Sequence, residues 1–241
     1  MAINVNTVYQ TVLMILNKEQ RGYMTPTEFN TVSTQVQLEI FEKYFDDLNQ
    51  QLRVPQADTD YADRQENIDE KLAIFKTFGD AIYTTIGGLS YFVLPTTDTY
   101  GNSVSFYRLG NVLYNDEKVV QRLDRHEFYY ANQSRLTKPS TINPAYLYEN
   151  QKLFVKPTSI IDKIKVDYIR KPSNVVWGFV VGNLGQYISD PDTTVNFELH
   201  ESEQTEVILK VLLYAGIVIR DPQIVQAAAS QVQADEVNKK S

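Results

Sequence analysis

TPTEFNTVSTQVQLEIFEKYFDDLNQQLR, running from Thr25 to Arg53, is the stretch whose reading decides the fold. Thr25 supplies an N-cap hydroxyl, Pro26 sits at the first helical position where no N–H is needed, and Glu28 closes a capping box. No glycine or proline follows until Pro55, so the spacing predicts one helix of about 29 residues, roughly 43 Å long. Its apolar residues fall on two faces. Phe29, Val32, Val36 and Ile40 share one, and Leu38, Phe41, Phe45, Leu48 and Leu52 share another, turned by roughly a third of a circle. Two readings follow: a bent helix that touches two parts of its own core, or a helix whose second half packs on a neighbouring subunit. In the second reading Leu38, Phe41, Phe45, Leu48 and Leu52 are candidate subunit contacts.

The whole chain narrows the function classes. Its 241 residues suffice for one large domain or a domain carrying an insertion. With no cysteine, disulfides, thiolate metal sites and cysteine nucleophiles are excluded. No basic leader and no run of about 18 apolar residues is present, so neither secretion by a signal peptide nor membrane insertion is expected. The formal charge of −7 argues against a protein that grips nucleic acid, yet suits a wall past which nucleic acid slides. The 16 tyrosines and 11 phenylalanines suit strands and interfaces alike.

Outward from the long helix, Asn4 or Asn6 caps a first helix bearing Val8, Val12, Ile15 and Leu16, with Gly22 as the turn between them. After Pro55 an acidic segment, Asp58 to Glu70, begins as a solvated loop. From Asp63 it becomes a third helix through Ile68, Leu72 and Phe75, ending before Gly79. The period then changes to two. Ile82, Thr84 and Ile86 alternate, Gly87-Gly88 turns the chain, and Leu89, Tyr91 and Val93 resume. Further strands are expected near 104–114 and 118–123, on either side of the Glu149 to Lys152 turn, and at Ile164, Val166 and Tyr168. Asp124 to Glu127 reads as a second capping box opening a short helix. The apolar run 175–181 reads as a buried strand, with Trp177 as a core or interface anchor, and 182–195 as a loop. Helical spacing returns at 196–220, and Asp221-Pro222 caps a last helix with a small-residue face at Val225, Ala228, Ala229 and Val232.

The expected class is therefore α+β: an α-helical domain of about five helices built from both chain ends, 1–78 and 196–241, with an antiparallel β-rich domain inserted at 79–181.

Chemistry-bearing patterns are sparse. His126 and His200 lie in no metal-ligand spacing, and the acidic pairs Asp46-Asp47, Asp58/Asp60 and Asp190/Asp192 lack the loop of a cation site. No phosphate-cradling or nucleophile-elbow motif occurs. No enzyme activity, metal or cofactor is expected.

Two separated stretches carry a resemblance. Asn17 to Asn30, NKEQRGYMTPTEFN, resembles the opening of head–tail connector, or ring, proteins of crAss-like and related short-tailed phages. Asn143 to Tyr148, Lys152 to Pro157 and Lys165 to Pro172 are similar to the β-insert of phage tail-tubular, or gatekeeper, adaptors. Leu199-His200-Glu201 leading to Leu213-Tyr214-Ala215-Gly216 resembles that family's closing helices. The resemblance implies a virion protein, made in the host cytoplasm and placed at the portal vertex. There it would form a ring of about twelve copies below the portal and beside other tail proteins. Genomic DNA would be retained in, and ejected through, the channel without sequence-specific binding. These motifs are folding signatures and carry no functional residues across. Other readings are a tail-tube, baseplate or host-contact component of the virion, and, last, a tail-associated hydrolase using an acidic pair.

Overall fold

The computed structural model describes residues 2–18, 23–53, 68–97, 103–219 and 226–234. The chain opens with β1 (Ala2–Ile3), α1 (Val5–Lys18), α2 (Pro26–Arg53) and a short α3 (68–73). There follow β2 (Lys76–Asp80), β3 (Ile82–Ile86), β4 (Leu89–Val93), β5 (Phe106–Tyr114), β6 (Lys118–Val119) and β7 (Gln121–Arg122). Next come α4 (Arg125–Gln133), β8 (Ala145–Glu149), β9 (Lys152–Lys156), β10 (Ile164–Arg170), β11 (Phe179–Val181) and β12 (Tyr187–Ser189). The chain continues with β13 (Phe197–His200), a 3-10 turn (Glu201–Glu203), α5 (Gln204–Ile219) and α6 (226–234). The class is α+β, with helices from both ends and a central antiparallel β-rich region. Two compact units form, one from residues 1–74 and 172–241, the other from Phe75–Lys171.

In the helical unit, Asn4 caps α1 by accepting from the N–H groups of Asn6 at 2.9 Å and Thr7 at 3.2 Å. Thr25 and Glu28 form the expected capping box on α2: Glu28 accepts from the Thr25 N–H at 2.9 Å and Thr25 Oγ1 from the Glu28 N–H at 3.4 Å. The Thr25 hydroxyl also donates to the Glu28 carboxylate at 2.7 Å, and that bond first, then the one from the Thr25 N–H, holds the Glu28 carboxyl below its usual range. Helix α2 buries one stripe, not two. Phe29, Ser33, Val36, Gln37, Ile40, Phe41, Tyr44 and Phe45 are all buried, a stripe roughly 180° wide at 100° per residue. The division into two faces arose because two of its members, Ser33 and Gln37, are polar and vanish from an apolar count. Helices α1 and α2 both pack on α5, whose Val207, Val211 and Ala215 are fully buried.

Three expectations for this unit are corrected. Residues 197–200 form β13, antiparallel to β1, and the helix starts only at Gln204; a four-residue alternation of Phe197 and Leu199 was masked by the run of glutamates. The segment read as a loop contains β12, which pairs with β11. The helix expected through Phe75 gives way at Lys76 to β2, because residues 76–80 find a full register on β10 from Lys165 to Ile169. The units accordingly divide at 74/75 and 171/172, where alternation had placed the boundaries at 79 and 181. The Asp58/Asp60 loop and the Asp221-Pro222 cap lie outside the described residues.

The β-unit has two sheets, ordered β2-β10-β5-β6 and β3-β4-β9-β8-β7, antiparallel except at β7–β8. Phe92, Leu153 and Val155 of one sheet and Val112, Ile164 and Val166 of the other meet in one apolar core. Its hairpins turn on paired residues at positive φ: Gly87-Gly88 (60° and 79°) and Asn150-Gln151 (51° and 57°) in two-residue turns, and Asn115-Asp116 (56° and 60°) in a three-residue turn closed by Glu117. On α4, Glu127 accepts from the Asp124 N–H at 3.5 Å, and Phe128 turns inward where the helix packs on β8.

A buried polar cluster ties α2, α3 and α5 together. Glu203 pairs with Lys71, Glu206 with Lys43 at 3.1 Å, and Lys210 lies 3.7 Å from Glu39, which also accepts from the Tyr214 hydroxyl. Tyr44 is buried beside this cluster, and its hydroxyl meets no hydrogen-bond partner among the described residues. Burial first, then the charges of Glu203 and Glu206, raises its pKa above the ordinary 10.0. Below pH 10 the folded and unfolded chains both keep that proton, and above it only the unfolded chain releases it, so stability falls as pH rises. Tyr44→Phe is expected to be as stable as wild type at neutral pH, or more so by up to about 2 kcal/mol. It should also lose less stability than wild type between neutral and alkaline pH. Urea unfolding of both proteins across that range measures this, and a variant clearly weaker at pH 7 contradicts it.

Candidate interaction surfaces

The helical unit's candidate surface is built on segment 173–195, and α2 holds that segment by its side chains. Asn30, Thr34 and Gln37 succeed one another on one side of α2 and pair with the extended backbone of Ser173, Val175 and Trp177 in reverse order. Asn30 Oδ1 accepts from the Trp177 N–H at 2.8 Å, and its Nδ2 donates to the Trp177 carbonyl at 3.4 Å. Thr34 Oγ1 accepts from the Val175 N–H at 3.1 Å, and its one proton faces the Asn30 carbonyl at 2.9 Å and the Val175 carbonyl at 3.3 Å. Gln37 Nε2 donates to the Ser173 carbonyl at 2.7 Å, while its Oε1 accepts from the Glu198 N–H at 2.8 Å. The helix face thus stands in for a neighbouring strand. From 30 to 37 the helix rises roughly 10.5 Å, and from 173 to 177 a strand covers roughly 13 Å. The longer Gln37 side chain spans that mismatch.

Trp177, 4% exposed, is fixed by this ladder and by its Nε1, which donates to Asn6 Oδ1 at 3.0 Å. It packs on Tyr9 at 4.3 Å between ring centres and stacks on Phe179 at 5.9 Å; Phe179 in turn meets Tyr187 edge-on at 5.1 Å. Gly178 is required next to it, since a Cβ there would stand 2.6 Å from the Asp190 carbonyl oxygen. Asp190 shapes the other arm of the hairpin: its carboxylate accepts from the Asp192 N–H at 3.2 Å and from Thr193 Oγ1 at 2.8 Å. Between the arms, β11 and β12 form an ordered hairpin that shows apolar side chains to solvent. Val180, Val181 and Ile188 are exposed, and Leu184 at the tip is 92% exposed. Of the buried strand expected over 175–181, the burial holds at Val175 and Trp177, and the strand forms only at Phe179–Val181, where Val180 and Val181 are exposed.

Beside the hairpin lies a cleft of about 580 Å³ lined by Asn6, Tyr9, Gln10, Tyr23, Gln186 and Tyr187, among others. Its walls are aromatic faces and neutral amides. Burial, with the Tyr23 hydroxyl next in weight, raises the Tyr9 pKa.

The β-unit carries a second ordered, apolar surface. Tyr129 and Tyr130 of α4 are exposed, as is Ile142, and Leu136 is 97% exposed. The loop that presents Leu136 is pinned: Ser134 Oγ accepts from the Leu136 and Thr137 N–H groups at 3.3 and 3.2 Å, and Lys118 donates to the Thr141 carbonyl at 3.2 Å. Ile82, Ile86 and Leu89 are exposed on the β3–β4 hairpin at that sheet's edge.

Charge divides between the units. Residues 75–171 carry 13 Lys and Arg against 9 Asp and Glu, a formal +4, which leaves −11 on the helical unit. Residues 172–209 hold six carboxylates and no Lys or Arg.

Of the candidate subunit contacts, Phe41, Phe45 and Trp177 are buried in the chain's own helical unit, with Phe41 and Phe45 edge-to-face at 5.2 Å. They leave no face for a neighbour. Leu38 is half-buried, and the side chains of Leu48 and Leu52 lie outside the described residues. The exposed leucines 136 and 184 were passed over because they sit in segments with no periodicity, where apolar residues raise no signal. His126 stacks on Tyr130 at 6.3 Å, and His200 Nδ1 accepts from the Ser202 N–H at 3.2 Å, so each serves a local fold. Among the described residues no group of three His, Cys, Asp or Glu side chains has the arrangement to hold a metal ion. No protein-family model matches the sequence, and no curated protein matches it.

Gln37 is fully buried and satisfies two backbone groups. Gln37→Ala should cost about 2–4 kcal/mol, because the Ser173 carbonyl and the Glu198 N–H lose their partner. Gln35→Ala, at an exposed position on the same helix, should change stability by less than about 0.5 kcal/mol. Equilibrium unfolding followed by the fluorescence of Trp177, the only tryptophan, measures both, and equal effects contradict the ladder.

Proposed function

We propose that this chain is a structural, non-catalytic virion protein: the subunit of a head-to-tail connector ring that docks below the portal and through whose channel the genome is retained and ejected. The observation that carries this reading is a pair of hydrogen-bonded, ordered elements, the β11–β12 hairpin and the α4 loop, each presenting leucine to solvent. Ordered apolar surfaces of this kind suit partners, and here there is one on each unit. The arrangement of end helices around a β-rich middle is the one that the resemblance to phage connector proteins implies. The charge division supports the channel as well. A lumen faced by the −11 helical unit would repel phosphate and let DNA slide without sticking.

The aromatic, uncharged cleft favours a second reading, a host-contact component of the virion that takes a neutral sugar on its tyrosine faces. Specific retention of neutral glycans by the purified chain would support that reading over the first.

Native mass spectrometry of the full chain, alone and with the portal protein of the same virus, tests the connector proposal. The expected product is a closed ring of about twelve copies, free or seated on the portal. A monomer that ignores both itself and the portal contradicts it.

A further inference from the structure

Resting on the ring reading, we infer that adjacent copies join head to tail, the β11–β12 hairpin of one copy docking on the α4 surface and its loop in the next. A ring needs a heterologous contact, made by two different patches that are complementary and present on every copy. The two patches have that relation. The hairpin offers Val180, Leu184 and Ile188 with the exposed carboxylate of Asp192 just past its second strand. The α4 surface offers Tyr130, Leu136 and Ile142 amid the exposed cations Arg135 and Lys138.

Charge favours a second copy as the occupant. Residues 172–209, which include the hairpin, contain no cation, and Asp192 is exposed there; on the α4 surface Arg125 pairs with Glu149 at 3.3 Å and Lys118 with the Thr141 carbonyl, which leaves Arg135 and Lys138 as the exposed cations beside Leu136. Two α4 surfaces would place Arg135 and Lys138 against like charges, whereas the uncharged hairpin flanked by Asp192 meets them without repulsion. The apolar centre with a charged rim is the composition of a protein interface. Duplex DNA would be attracted by the cations alone and would have no use for Leu136 beside them.

The experiment uses the full chain under whichever condition, alone or with portal, assembles the wild type. Two variants change exposed residues only: Leu184→Asp with Ile188→Asp on the hairpin, and Leu136→Asp with Ile142→Asp on the loop. Circular dichroism and Trp177 emission confirm that each is folded. Each alone should lose the ring and sediment as a monomer. Mixed one to one, they should form a dimer of twice the monomer mass and nothing larger, since each retains one intact patch. As a second pair, Asp192→Lys, and Arg135→Glu with Lys138→Glu, should each weaken the ring, and carrying all three in one chain should restore it. Rings formed by either leucine variant alone overturn the docking and leave the connector reading standing, whatever those variants do to DNA binding. A wild-type chain that assembles under neither condition overturns both.

Discussion

The structure of the helical unit depends on a polar face of α2 acting as a strand edge. An extended segment beside a helix has no ladder to join, and its N–H and C=O groups would be buried without partners. Asn30, Thr34 and Gln37 supply those partners, because amide and hydroxyl side chains both donate and accept. Steps of four and three residues keep them on one side of the helix, matched against alternate residues of the segment. Gln37 also takes the Glu198 N–H, so one side chain joins the segment to the start of β13.

From that ladder the local order spreads outward. Once the backbone at 177 is set, Trp177 has one place to go, between Tyr9 and Phe179 with its indole N–H on Asn6. Gly178 then admits the returning arm at Asp190, and the hairpin beyond is closed by the Gly182 N–H donating to the Gln186 carbonyl at 2.8 Å. A two-stranded hairpin is marginal by itself. Here its base is clamped, so Leu184 is displayed on an ordered platform instead of collapsing onto the core. In the proposed ring, the hairpin becomes one half of a contact whose other half is the pinned loop bearing Leu136.

The legible parts of the fold were those whose partners are near in sequence. The β-hairpins announced themselves through alternation interrupted by Gly87-Gly88, Asn115-Asp116 and Asn150-Gln151, and the capping boxes at Thr25 and Asp124 through their own spacing. Residues 173–200 were not legible, because what orders them lies more than a hundred residues away and is polar. Ser33 and Gln37 hid the buried stripe of α2 for the same reason: an apolar count registers them as surface. Of the two readings open for Phe41 and Phe45, and of core or interface anchor for Trp177, burial in the chain's own unit favours the core. The candidate surfaces were legible only as doubt about 173–195, since an exposed leucine in a loop has no sequence signature.

The most direct test of the ladder is amide hydrogen exchange at Val175, Trp177 and Glu198, whose N–H groups donate to Thr34, Asn30 and Gln37. The account predicts that these three exchange as slowly as amides in the middle of α2, although two of them lie outside any helix or named strand. Exchange at the rate of an unprotected, solvated chain would contradict it.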